Sequence, residues 1–193
     1  GKIFNFLDER MKKYDLLVFS DFNYGCLPQE LVDKIVKSAI KNNVFLAADS
    51  QSSSQIGDIS RFKNMDLITP TEREARISAR DTNSGLVVLC DELCNNSFAK
   101  NMILKLGENG VLIHKNQRKK NEIFTDRIFS LNPLPKDIAG AGDSLLISSA
   151  MALSVGADIW ESAYLGSLSA GIQISRLGNV PLNLQELSMA IDR

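Results

Sequence analysis

Residues 16–50 read LLVFSDFNYGCLPQELVDKIVKSAIKNNVFLAADS, and this stretch decides the fold. Leu16–Phe19 is a short apolar run that Ser20 and Asp21 break, the pattern of a buried parallel strand running into a polar loop. Pro28 then opens a helix whose apolar stripe is Leu31, Ile35, Val36, Ala39 and Ile40, and Asn42-Asn43 stop it. Val44–Ala48 is the next strand, followed by Asp49. Strand, crossover helix and strand in this order make a βαβ unit, which requires a parallel sheet.

The alternation continues on both sides. Upstream, residues 3–13 read as one amphipathic helix with Ile3, Phe4, Phe6, Leu7 and Met11 on its apolar side. Downstream come a Ser/Gln-rich loop through Gln55, a third strand at Asp66–Thr69 stopped by Pro70, and helices at Glu72–Ala79 and Ser84–Ser97. Met102–Leu106 and Val111–His114 are strands around a Gly107–Gly110 turn, and Glu122–Phe129 alternates like another strand. Two long helices rich in Ala, Ser and Leu follow, at Asp143–Val155 and Ile159–Leu177, and a last one spans Asn183–Ile191. Small residues let such helices pack closely. The expectation is a single α/β domain, 1–193, with a mostly parallel central sheet and no internal repeat or linker.

Composition narrows the function. The 193 residues carry 22 Lys+Arg against 23 Asp+Glu, a net charge of −1 that lacks the basic excess of a general nucleic-acid binder. Hydrophobic residues at 44% and charged ones at 23% suit a folded globular chain, and this length buries roughly 70% of the unfolded surface. No apolar run reaches the ~18 residues of a membrane span. Gly1–Arg10 is charged and lacks the apolar core of an export signal, so the expected location is the cytoplasm. Cys26, Cys90, Cys94 and the lone His114 are too few for a zinc site; the cysteines read as reduced and half-buried, His114 as a surface residue. The basic run Lys115–Lys120 reads as a solvated hairpin turn.

In open α/β sheets ligands bind beyond the carboxyl ends of the strands. Polar residues gather there: Ser20-Asp21, Asp49-Ser50-Gln51, Thr69 to Glu74 and Gly107-Glu108. The strongest group is Asp137–Ser144, DIAGAGDS, directly before a long helix. Its glycines let backbone N–H groups approach a phosphate, and a helix N-terminus adds positive potential. An Asp in an anion-binding turn repels the ligand unless it accepts a proton, so Asp143 is either a general base or the cap of its helix. The dinucleotide fingerprint is a near miss, with Leu145 where its third Gly belongs, and no P-loop is present.

Four ordered stretches, Leu17–Gly25 (LVFSDFNYG), Leu67–Ala75 (LITPTEREA), Leu106–Leu112 (LGENGVL) and Asp137–Ser144, together with Ala170–Gly178 (AGIQISRLG), resemble the ribokinase-like (PfkB) carbohydrate kinases. Within that family the chain looks most like the heptose-phosphate kinase domain of ADP-heptose synthesis enzymes. The resemblance implies the Rossmann-like, ribokinase-type three-layer α/β/α fold, represented here by its C-terminal nucleotide-binding part. It implies ATP-dependent phosphoryl transfer to a sugar or sugar-phosphate hydroxyl. Asp143 would be the general base, and Gly140, Ala141 and Gly142 the anion hole. Lys105, Gly107, Gly110 and the segment around Ser167 would lie at the nucleotide. Glu74 would help order Mg²⁺ through water, and Asp137 matches a position linked to a monovalent cation such as K⁺.

The departures from the family pattern are Thr71 for a usual Asn, Lys105 for a usual Thr, Ala139 for Thr, Ser167 for Asn, and Gln51 for the Lys of the heptose-kinase loop. Each removes a polar contact, and a charge-assisted contact is worth about 1.5–3 kcal/mol. A catalytically degenerate nucleotide-binding or regulatory domain of the same fold is therefore the alternative. Lys105 compensates if it meets a phosphate directly; otherwise it is a surface Lys at a strand edge. The resemblance further implies an N-terminal half carrying most sugar contacts, without which this stretch would be inactive, and it admits a homodimer and a fused nucleotidyltransferase domain.

Overall fold

The structure, a computed structural model, describes residues 1–51, 57–116, 124–132 and 134–192. The loop through Gln55, the basic run beyond residue 116 and the first residues of the strand expected from Glu122 lie outside the described residues in whole or part. The chain gathers into two compact units: residues 1–104 with 114–125, and residues 105–113 with 126–193.

In the first unit, α1 (Lys2–Asp8) is followed by a 3₁₀ turn at Met11–Lys13. The single helix expected over 3–13 is thus broken, and Ile3 and Phe6 of its apolar side are exposed; only Met11 reaches the core. Then come β1 (Leu16–Asp21), α2 (Gln29–Lys41), β2 (Phe45–Ser50), β3 (Leu67–Ile68), α3 (Glu72–Ala79), α4 (Leu86–Ser97) and β4 (Asn101–Lys105). β1 pairs with β2, β2 with β3 and β3 with β4, all parallel. Pro28 does not lie inside α2 but caps it in an extended conformation, φ −63°. Val32, Ile35, Val36 and Ala39 bury the inner face, while Ile40 is half exposed. Leu46, Phe62, Met65, Leu67, Ile68, Leu89, Leu93, Met102 and Ile103 fill the core at 0–1% exposure.

β5 (Val111–Lys115) returns beside β4. Its register follows from two bonds, Leu106 N–H to Gly110 O and Asn116 N–H to Lys100 O, one at each end of an antiparallel ladder. β6 (Phe124–Ile128) completes a sheet in the order β1-β2-β3-β4-β5-β6. His114 on β5 is not a surface residue: it is 1% exposed, and its Nδ1 lies 3.0 Å from Thr125 Oγ1. Burial pushes its pKa down against the pull of Asp91, whose Oδ1 stands 3.7 Å from Nε2, beyond hydrogen-bond reach. Cys90 and Cys94 are fully buried rather than half-buried, and Cys26 is exposed.

The second unit is dominated by α5 (Ala141–Ser154), α6 (Ile159–Gln173) and α7 (Leu184–Ile191). α5 and α6 pack through Leu145, Ser149, Ala150, Ser162, Ala163, Gly166 and Ser169, all buried. Gly166 permits the closest approach, since a Cβ there would stand 2.0 Å from Ser149 Oγ and 2.9 Å from the Leu145 carbonyl oxygen. Three helices begin with reciprocal capping boxes: Thr71 with Glu74 on α3, Asp158 with Glu161 on α6, and Asn183 with Glu186 on α7. No helix among the described residues is long and apolar enough to cross a membrane.

Candidate functional site

α5 begins differently from those three helices. Its cap is Gly140, at φ 77° and ψ 0°, with no side-chain cap. A Cβ at Gly140 would stand 2.3 Å from Asn179 Oδ1, so both the left-handed backbone and the space require glycine. Ala141 donates to Ile138 O at 3.3 Å, and Ser144 donates to Gly140 O at 2.9 Å. The N–H groups of Gly142 and Asp143 find no acceptor among the described residues. The Gly140 N–H finds none either, so the open donors at this helix start are those of Gly140, Gly142 and Asp143, and of the Gly140–Gly142 set expected from sequence only the Ala141 N–H is taken up within the chain. Gly140, Ala141 and Gly142 are half-buried and Asp143 is exposed, so the turn is open.

Asp143 occupies the third position of α5 and is not its cap. Its carboxylate makes no hydrogen bond or ion pair among the described residues. Lys105, at the end of β4, reaches this turn: a Cβ on Gly142 would stand 3.4 Å from Lys105 Nζ. Unsatisfied N–H groups, an ammonium and the positive end of a helix thus gather beside a bare carboxylate. Such a spot attracts a group of several negative oxygens.

The turn is held from behind by Asp137, which the resemblance linked to a monovalent cation, and by Gln173 and Arg176, which sequence reasoning passed over. Asp137 Oδ1 accepts from Ala139 N–H and Oδ2 from Gly178 N–H, each at 3.0 Å. These two bonds, the Ala139 one first, hold the Asp137 carboxyl below its ordinary pKa. Gln173, 1% exposed at the end of α6, points its Nε2 at Ala139 O (3.2 Å), Gly178 O (3.4 Å) and Asn179 Oδ1 (3.4 Å). Arg176 Nη2 donates to Gln173 Oε1 at 3.4 Å and to Val180 O at 2.9 Å. The signal for Gln173 was a lone amide in a small-residue helix, inside the AGIQISRLG stretch.

The glycines of the β4–β5 turn differ from each other. Gly110, at φ 83°, lies so close to β6 that a Cβ would stand 2.0 Å from Ile128 O, so its glycine serves the turn's own packing. Gly107, at φ 61°, is exposed with open space around it. Ser167 sits on α6 with its Oγ buried and without a hydrogen-bond partner among the described residues, so a ligand beside it would meet backbone rather than this hydroxyl.

In the first unit the carboxyl ends of the strands carry buried polar groups. Asp21, 4% exposed, accepts from Asn23 N–H at 3.0 Å and pairs with Arg61 at 2.7 Å. Asn23 donates to Ser50 Oγ and to Gln51 O, tying the loops after β1 and β2 together. Glu74 is 7% exposed and accepts from Thr71 N–H at 2.7 Å. Thr71-x-x-Glu74 is legible in the sequence as a capping box, a reading that explains why Thr serves at that position. Among the described residues no group of three or more His, Cys, Asp or Glu could hold a metal ion.

A family profile described as pfkB family carbohydrate kinase matches residues 4–185. The bifunctional protein HldE of Sulfurimonas denitrificans is 29% identical over 189 residues, which is 96% of this chain and 37% of that protein. Its namesake in Aliarcobacter butzleri is 28% identical over 192 residues, with the same shares. The chain thus spans 37% of the length of these relatives. Among solved structures, phosphofructokinase-2 from Escherichia coli in complex with potassium matches with a TM-score of 0.80 at 17% identity, over 100% of this chain and 62% of that one. The Arabidopsis thaliana ribokinase complexed with ribose and ATP matches with a TM-score of 0.78 at 16% identity, over 96% and 58%. Likeness at this identity shows a shared ribokinase-type α/β fold.

Proposed function

Because the chain belongs to the pfkB carbohydrate kinase family, we propose that the turn at the start of α5 receives the transferring phosphoryl group of ATP. The observation that carries this reading is the open Gly140–Asp143 turn, with three of its four N–H groups unused among the described residues and the Lys105 ammonium beside it. Charge builds on the phosphoryl oxygens during transfer, and fixed donors aimed there lower the barrier without reorganising. Asp143 takes the proton as a sugar hydroxyl attacks. The O–H bond breaks toward the carboxylate, the new O–P bond forms, and ADP leaves with the bridging oxygen. Its lack of a capping bond leaves Asp143 available for that role.

Lys105 meets the phosphate directly and so makes up for a polar contact that the usual Thr would supply. Gly107 lies open toward the nucleotide, and the backbone near Ser167 borders the base. Glu74 is proposed to meet Mg²⁺ through water. Mg²⁺ keeps most of its waters and draws on phosphate oxygens with one or two carboxylates, so a single buried Glu fits it. When bound, it would neutralise charge on the β- and γ-phosphates. The likeness to proteins named bifunctional HldE supports a sugar phosphate, a heptose phosphate first, as acceptor. It also supports a nucleotidyltransferase function in the full-length protein.

One observation favours a second reading, a domain that binds nucleotide without catalysis. Glu74 Oε2 is already engaged by the Thr71 N–H, which weakens its hold on a hydrated metal. Calorimetric titration of the full-length protein with ATP, followed by transfer assays with γ-labelled ATP and a panel of sugars and sugar phosphates, separates the two. Transfer to a sugar hydroxyl supports the kinase. ATP binding with no transfer to any acceptor supports the second reading, and no ATP binding rejects both.

A further inference from the structure

Behind the α5 turn the Ala139 and Gly178 carbonyls and Asn179 Oδ1 converge on one point, and the two carboxylate oxygens of Asp137 bond the N–H groups of Ala139 and Gly178 in the same segments. Carbonyl and carboxylate oxygens gathered in this way suit a monovalent cation, which replaces its hydration shell with them. In this chain the oxygens already have N–H partners. Asp137 accepts from the backbone of Ala139 and Gly178, and Gln173 Nε2 faces the other three at 3.2–3.4 Å. The orientation of the amide is fixed from both sides, because Arg176 donates to its oxygen while three acceptors surround its nitrogen. The Arg176 guanidinium also places a positive charge next to the spot a cation would take. Gln173 is buried to 1% exposure, so water does not compete for these contacts.

We infer that the Gln173 side-chain amide stands in for a monovalent cation, so that this protein positions its α5 turn without K⁺. The two N–H groups of a neutral amide supply locally what an ion supplies: positive charge that bridges the Ala139 turn to the Gly178–Asn179 loop. Asp137 then acts as a clamp on that loop rather than as an ion ligand. Gln173 is a positioning residue, and the inference rests on the reading of the α5 turn as the phosphoryl site.

The test compares thermal melting of the full-length protein in potassium chloride and in choline chloride at equal ionic strength. A K⁺ site with a dissociation constant one tenth of the salt concentration would favour the folded state about elevenfold, a rise of about 3–6 °C in the melting transition of a domain near this length within the full protein. The wild type is expected to melt within about 1 °C in the two salts, and a rise of 3 °C or more in potassium chloride overturns the inference. Gln173→Glu turns the donor into an acceptor facing three oxygens, and is expected to lose stability in choline and regain it in potassium. Gln173→Leu supplies neither donor nor charge and is expected to lose stability equally in both salts. Equal loss by Gln173→Glu in the two salts also overturns the inference. Melting needs no turnover, so a protein that is inactive yet indifferent to K⁺ leaves this inference standing and removes only the kinase reading.

Discussion

Two glycines on α6 allow the same substitution to be made with opposite expected results. Gly166→Ala places a methyl 2.0 Å from Ser149 Oγ and 2.9 Å from the Leu145 carbonyl oxygen. The Ser149 hydroxyl can rotate, but the carbonyl belongs to the α5 backbone, so the two helices must part by a few tenths of an ångström. Overpacking of this kind costs about 1–3 kcal/mol. Against it stands the gain from replacing Gly by Ala within a helix, about 1 kcal/mol. Gly171→Ala brings the same gain, and its new methyl stands 3.7 Å from Asn132 Cβ and Leu131 Cβ, an ordinary contact. The helix term cancels between the variants, so their difference isolates the α5–α6 contact at about 1–3 kcal/mol. At about 2–4 °C per kcal/mol for a chain of this length, Gly166→Ala should melt about 2–12 °C below Gly171→Ala, and Gly171→Ala at or above the wild type. Differential scanning calorimetry under reversible conditions measures this directly. Should Gly166→Ala melt as high as Gly171→Ala, the close packing of α5 on α6 would be refuted.

For the active full-length protein, Asp143→Asn should lower kcat about 10²–10⁴-fold while ATP affinity holds or tightens. Its stability should change by less than about 1 kcal/mol, since only the favourable placement of a charge at the helix start is lost; an unchanged kcat rejects the general-base role. Among Cys26, Cys90 and Cys94, thiol labelling of the native protein near pH 8 should find one prompt group, Cys26. Burial first, with the Asp91 charge second, pushes Cys90 up to about 12, and Cys94 is equally enclosed; both should appear only on unfolding, and a second prompt thiol contradicts the buried placement. Asp137 has a folded pKa below its ordinary 3.8, so its contribution to stability is present above that value and is lost as pH falls through the folded one. Melting curves between pH 6 and pH 2.5 should therefore show a larger acid loss for the wild type than for Asp137→Asn, and parallel curves would dismiss the clamp.

The βαβ pattern was legible because its signals are local. Glu72–Ala79 is bounded as expected, with Pro70 stopping the strand before it and Thr71 and Glu74 capping its start. The α5 turn was equally plain, because glycines at a helix start have few other uses. Residues 3–13 misled because apolar spacing does not show whether a partner covers the stripe, and here Ile3 and Phe6 meet solvent. The burial of His114 was not legible, because β5 is enclosed at two successive positions, Ile113 and His114, and a strand covered on both faces hides a polar side chain that sequence alone assigns to solvent. Gln173 could not be assigned from sequence. Its meaning depends on carbonyls at Ala139 and Gly178 and an amide at Asn179, which only the folded loops bring to one point.

The sheet runs in chain order from β1 to β6. Every strand therefore pairs with the one made just before it, and none has to be inserted later between two already joined. Folding rates fall as contacting residues lie further apart along the chain, because closing long loops costs entropy before any contact rewards it. A sheet that grows at one edge keeps each closure to the length of a single crossover. It also suits a chain leaving the ribosome from its N-terminal end, since β1 and β2 can pair while the later strands are still being made.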